Sequence, residues 1–268
     1  MEILQYDFIQ NAIIAGVLIS IAAGVIGTLV VVNKITFLTG GIAHSAYGGI
    51  GMAIYLGIPV LFGATVFSII TAILIAIITL KNKSRIDAII GMMWASGMAI
   101  GIVLIDLSPG YNVDLMSYLF GSIIAVSSAD LLFLLLLDIF IILIVSIFYK
   151  ELLAVSYDSE FAGLRGINVK FFYTLILILS ALCVVAAIKA VGLILVIALL
   201  TIPTYLAENF ASRLSTMMII SSILATIFTI LGLALSYYYD ISSGASIIIV
   251  AVLALSLVKL AKIAKLKS

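Results

Sequence analysis

The chain's single histidine, His44, lies in the polar, glycine-rich run Thr39-Gly40-Gly41-Ile42-Ala43-His44-Ser45-Ala46-Tyr47-Gly48-Gly49, at the head of an otherwise apolar stretch. An ionisable side chain at membrane depth is costly and by default marks a pathway or a relay. Neutral imidazole is also the commonest side-chain ligand for zinc, and it serves manganese and iron as well. Two readings stand. His44 is a metal ligand in a pathway lined by Gly40, Ser45 and Tyr47, or it is a buried ring bonded to serine or to a backbone carbonyl. Asp240, before the turn Ser242-Ser243-Gly244, is the second candidate ligand, with helix capping as its alternative. Cys183 is the only cysteine, which excludes both an internal disulfide and a thiolate metal cluster.

The longest hydrophilic stretch, residues 150–170, carries a different kind of signal. Asp158 suits a helix N-cap and Gly166 a C-terminal closure. The two-turn element between them holds Glu160, Phe161, Ala162, Leu164 and Arg165, with Phe161 and Leu164 three residues apart on one face. A short amphipathic helix of this kind is a knob for a partner's groove.

Other chemistries are excluded by what is missing. There is no Gly-Lys dipeptide, hence no phosphate-binding G-x-x-x-x-G-K-[ST] loop. One histidine cannot supply H-E-x-x-H, and Trp94-Ala95-Ser96-Gly97 lacks the leading glycine of a serine-protease-like loop, so no enzyme activity is expected. No basic patch exists apart from the terminal lysines, which gives nucleic-acid binding no support.

The elements that must position these residues are membrane helices. Of 268 residues, 65% are hydrophobic and 9% charged, the mean hydropathy is +1.43, and soluble domains carry about 25% charged residues. Apolar runs recur that approach the roughly 20 residues needed to cross about 30 Å of hydrocarbon, and stretches such as Leu131 to Ile147 do not alternate as barrel strands would. The expected fold is all-α, a polytopic transmembrane bundle forming one domain over residues 1–268, with spans near 8–32, 40–57, 60–80, 86–106, 129–149, 171–188, 191–207, 216–238 and 243–262. Tight hairpins are expected at Gly57-Ile58-Pro59 and at Ala187 to Ala190. The acids at Glu2 and Asp7 argue against a cleaved leader, so the first span is expected to be retained. With the N-terminus outside, every one of the 13 Lys and Arg residues except Lys189 falls inside, so the positive-inside bias predicts N-out and C-in. Glu2, Asp7, Asp106, Asp114, Asp130 and Asp240 then lie at or near the outer face and form a mildly acidic mouth. Gly48, Gly49 and Gly51 in the second span, and Gly97 and Gly101 in the fourth, invite close helix approach.

Four segments, in order along nearly the whole chain, carry a resemblance. Phe37 to Ser45, Ser117-Tyr118-Leu119-Phe120-Gly121-Ser122, Gly192 to Pro203 and Ser236 to Ala245 resemble motifs of the zinc, manganese and iron permease subunits of ATP-binding-cassette importers. The resemblance implies the fold of the vitamin B12 and siderophore importer permeases. It implies a homodimer in the lipid bilayer of a prokaryotic cytoplasmic (inner) membrane, a separate cytoplasmic ATPase docking on the segment from Asp158 to Gly166, and an extracytoplasmic metal-binding protein that delivers the ion. No cofactor would be bound permanently; zinc or manganese would be the cargo. Family members commonly place Asp four residues before the histidine, where this chain has Gly40. The site is therefore expected to use other ligands or to hold the ion more weakly. The alternative function is a gradient-driven secondary transporter, for which Asp138 would be the intramembrane acid.

Overall fold

The computed structural model describes residues 7–81, 86–108, 121, 123 and 126–267. The expectations that fall on Glu2, Lys83, Arg85, Asp114 and most of the motif from Ser117 to Ser122 lie outside these residues. The described residues are helical almost throughout, in the order α1 (Asp7–Val32), α2 (Thr36–Leu56), α3 (Val60–Lys81), α4 (Ile86–Asp106), α5 (Ser128–Ile147), α6 (Tyr149–Tyr157), α7 (Ser159–Leu164), α8 (Val169–Ala207), α9 (Leu214–Tyr239) and α10 (Ser243–Lys267).

Seven helices among the described residues, rather than nine, are long and apolar enough to span a membrane. The two that fall short are α2, whose hydropathy is diluted by Thr36, Thr39, His44, Ser45 and its glycines, and the Val191–Ala207 arm of α8. The expected fifth span ends at Ile147, and α6 follows as a separate short helix.

Local chemistry explains most boundaries. Gly57 takes the left-handed conformation (φ 68°), so its N–H reaches Ile54 O at 3.2 Å while Ile58 N–H reaches Ala53 O at 3.0 Å, closing α2. Pro59 then opens α3 by accepting from Phe62 and Gly63 N–H. Ser127 and Asp130 form a reciprocal capping box on α5. Asn168 caps α8 through Phe171 N–H at 3.1 Å.

Helix α8 is the exception to a simple reading. Its 39 residues contain one non-helical position, Gly192 (φ 76°, ψ 164°), a region open essentially to glycine alone. A straight helix of this length would measure about 58 Å. Instead Val169 and Tyr173 from its start line the same cavity as Glu208 and Ala211, just past its end. The chain therefore reverses at Gly192, two residues beyond the hairpin position expected from hydropathy. Gly121 (φ 67°) packs directly on the backbone of Val191 and Gly192, so the mid-chain and late sequence motifs meet at this apex.

The cavity, of about 760 Å³, gathers Lys34, Thr79, Tyr157, Glu208 and Arg213 at one end of the bundle. Asp7, Asp106 and Asp240 sit at the opposite termini of α1, α4 and α9. Helix α1 is the central element, packed against α5, α8 and α9, while α2 packs against α3, α4 and α8.

Candidate functional site

The seam between α2 and α4 is made by backbone approach. A Cβ at Gly97 would strike Ser45, one at Gly101 would lie 2.5 Å from Tyr47 O, one at Gly51 would collide with the backbone of Gly101, and one at Gly41 would lie 2.5 Å from Ile90 Cγ2. Small residues are what allow helices to close this tightly where lipid removes the hydrophobic drive. The seam presses Trp94 onto His44, with ring centroids 3.7 Å apart and planes inclined by 11°. Phe37, two turns before His44, lies against the same indole, with ring centroids 6.5 Å apart and planes inclined by 44°.

His44 is half-buried, and its Nδ1 is buried without a hydrogen-bond partner. The alternative of a ring satisfied by serine is not realised: Ser45 Oγ donates to Ile42 O at 2.9 Å within its own helix. Tyr47 is buried in the seam. Gly40 faces the second arm of α8, where an added Cβ would lie 3.1 Å from Ile197 Cδ1. A side chain at this position would need the tip of Ile197 to give by a few tenths of an ångström.

The other candidate residues lie apart from His44. Asp240 adopts the left-handed conformation (φ 51°) as the C-cap of α9, its N–H bonded to Ser236 O. That hairpin packs on α1 and α8, away from the α2–α4 seam. Among the described residues no three His, Cys, Asp or Glu side chains cluster as a metal site. Asp138 is buried on α5 with Oδ2 unbonded, and Cys183 is a buried free thiol.

At the basic end, α7 forms as its caps dictate: Asp158 Oδ1 accepts from Phe161 N–H at 2.9 Å, and Gly166 (φ 82°) ends the turn with its N–H on Gly163 O. Leu164 is 88% exposed and Phe161 48% exposed, with the Arg165 guanidinium 4.8 Å over the Phe161 ring. Glu160 also faces outward, whereas Ala162 is fully buried and seats the helix on the bundle.

Trp94 is the residue that sequence reasoning missed as part of this site. Its signal was being the only tryptophan, one helical turn from the seam residues Ile90 and Gly97.

The chain as a whole is similar to known proteins. The model of the ABC 3 transport family matches residues 5–262. The chain belongs to the ABC 3 transport family. Among relatives of this ABC 3 transport family chain, an uncharacterized membrane protein of Synechocystis is 46% identical over 95% of this chain and 90% of its own length. The manganese transport system membrane protein MntC of Listeria monocytogenes is 33% identical over 93% of this chain and 89% of its own. The solved structure of PsaBC from Streptococcus pneumoniae in complex with Fab superposes with a TM-score of 0.85 at 31% identity, covering 94% of this chain and 91% of that one. An ABC 3 transport family member with this many apolar helices is a multi-span membrane protein.

Proposed function

We propose that the chain is the membrane-spanning permease subunit of an ATP-driven importer for a divalent transition-metal ion, manganese or zinc. The observation that carries this reading is the family match over nearly the whole chain, with manganese transport proteins among the relatives. His44 provides the chemistry. It is the sole imidazole, and its ring nitrogens have no partner among the described residues. A site with few ligands suits a conduit that must release what an extracytoplasmic binding protein hands to it. Gly40, Ser45 and Tyr47 shape the seam around it, and Asp240 contributes to an acidic outer mouth.

Energy would come from a separate ATPase seated on α7, whose exposed Phe161 and Leu164 form the knob, with Asp158 and Gly166 fixing its ends and Glu160 and Arg165 flanking it. The functional unit would be a homodimer in the cytoplasmic membrane of a prokaryote, with the basic end facing the cytoplasm. The gradient-driven alternative draws its support from buried Asp138, whose Oδ2 has no hydrogen-bond partner among the described residues, and from the broken helix at Gly192.

The test is uptake of labelled manganese and zinc by proteoliposomes containing the assembled complex. Uptake is expected to require internal ATP, to survive an uncoupler, and to fall sharply for His44→Ala. Uptake driven by a proton gradient without ATP would establish the alternative, and wild-type uptake by His44→Ala would remove His44 from the pathway. Glu160→Arg is expected to uncouple hydrolysis from transport while the permease stays folded. Unchanged coupling in that variant would move the ATPase contact elsewhere.

A further inference from the structure

The indole of Trp94 lies against the imidazole of His44 nearly parallel and at van der Waals distance. This contact is not an accident of loose packing. Ile90 and Gly97, one turn to either side of Trp94, are both locked onto α2, against Gly41 and Ser45. Trp94 therefore has a fixed height along α2. The indole lies face to face on His44, and Phe37, two turns earlier on α2, lies 6.5 Å from it with its ring tilted by 44°.

The consequence lies in the plane of the imidazole, where both nitrogen lone pairs point. Stacking against a large flat ring opposes rotation about χ2. Nδ1 is buried, whereas Nε2 is neither buried nor hydrogen-bonded among the described residues. We propose that Trp94 is the positioning residue of the transport site, its indole holding the His44 ring so that Nε2 alone is presented to a divalent transition-metal cation. The inference rests on the reading of His44 as a pathway ligand.

In most metal sites the distal ring nitrogen donates to a carboxylate or carbonyl, which fixes the ring and raises its basicity. Among the described residues no such acceptor meets the ring, and an aromatic face does the orienting. A ligand aimed by an apolar face, with no polar partner behind it, suits a site that must pass its ion on.

Because Trp94 is the chain's only tryptophan, the contact reports on itself. In the full chain reconstituted in lipid nanodiscs, manganese ions are expected to quench the tryptophan emission, and the response is expected to vanish in His44→Ala. In the assembled complex, Trp94→Leu is expected to raise the apparent KM for manganese uptake about tenfold with little change in maximal rate. Trp94→Phe, which keeps an aromatic face, is expected to restore most of it. In a His44→Ala background Trp94→Leu is expected to add no further loss, since it acts through the imidazole. Wild-type uptake by His44→Ala overturns the pathway reading and this inference with it. An impaired His44→Ala beside a Trp94→Leu with wild-type KM overturns the inference alone, as does an equal loss from Trp94→Leu in both backgrounds, which is the mark of simple packing. If Trp94→Leu does not assemble, the emission decides: wild-type fluorescence unmoved by manganese at concentrations that saturate uptake overturns the proposal.

Discussion

Helices α1 and α4 are both apolar enough to cross a bilayer, yet 67% of the spanning window is buried in α1 and 22% in α4. Composition does not separate them, because lipid and protein interior are about equally apolar and burial in a membrane is not driven by hydropathy. What separates them is where small residues fall. In α1, Gly16, Gly24 and Gly27 admit α8 and α9 on several sides, and Ser20 and Thr28 bond back to Gly16 O and Gly24 O at 2.6 and 2.7 Å. In α4 the small residues that matter form one stripe, Gly97 and Gly101 against α2, and the opposite face is open. The central helix is held on most sides, and the peripheral one is held by a seam that also carries Trp94.

Three substitutions sharpen this contrast. The largest effect is expected from Gly24→Leu, because even a Cβ there collides with the side chain and backbone of Ser222 on α9. No well-folded protein should be recovered after detergent extraction, judged by monodispersity in size-exclusion chromatography. Normal recovery would mean that α1 is not the rigid centre. Gly101→Ala on the seam should be milder, costing about 1–3 kcal/mol of overpacking, because the added carbon meets Tyr47 O at 2.5 Å. Folded protein should still be obtained with a lower thermal midpoint. Its metal uptake should fall by more than its yield, since the substitution spreads the helices that press Trp94 onto His44. Uptake that merely tracks yield would detach the seam from function. Gly91→Ala, on the open face of the same helix, has nothing within 4 Å of the added carbon. Its thermal midpoint should shift by no more than about 0.5 kcal/mol allows, and a large loss there would reveal a partner covering that face.

Much of this was legible wherever the deciding chemistry is local. Gly57 before Pro59 marks a helix end, and Asp158 and Gly166 mark a short capped helix, because a cap is satisfied by atoms three or four residues away. The reversal within α8 was legible only approximately. Apolar residues run without a break from Leu182 to Ile188 and from Val191 to Leu200, so hydropathy suggested Ala187 to Ala190, whereas the turn depends on one residue able to take φ 76°. Asp240, for which the sequence offered two readings, takes the left-handed conformation at the C-cap of α9. The split between α5 and α6 at Phe148 has no glycine or proline to mark it, and the polar residues Ser146 and Lys150 on either side do not fix the residue at which the helix breaks.

The amino-acid sequence by itself determined that the chain is a bundle of membrane helices, which end of that bundle is basic, and that one imidazole stands among glycines. These follow from composition, length and local hydrogen-bond chemistry, which need no knowledge of distant neighbours. Only the tertiary structure decided what that imidazole touches. His44 and Trp94 are separated by two helices' worth of chain, and their stacking depends on the depth to which Gly41, Gly97 and Gly101 let α2 and α4 sink together. A glycine in the sequence permits such an approach, but it does not name the helix that will make it, and that choice is made by the shape of every other surface in the bundle.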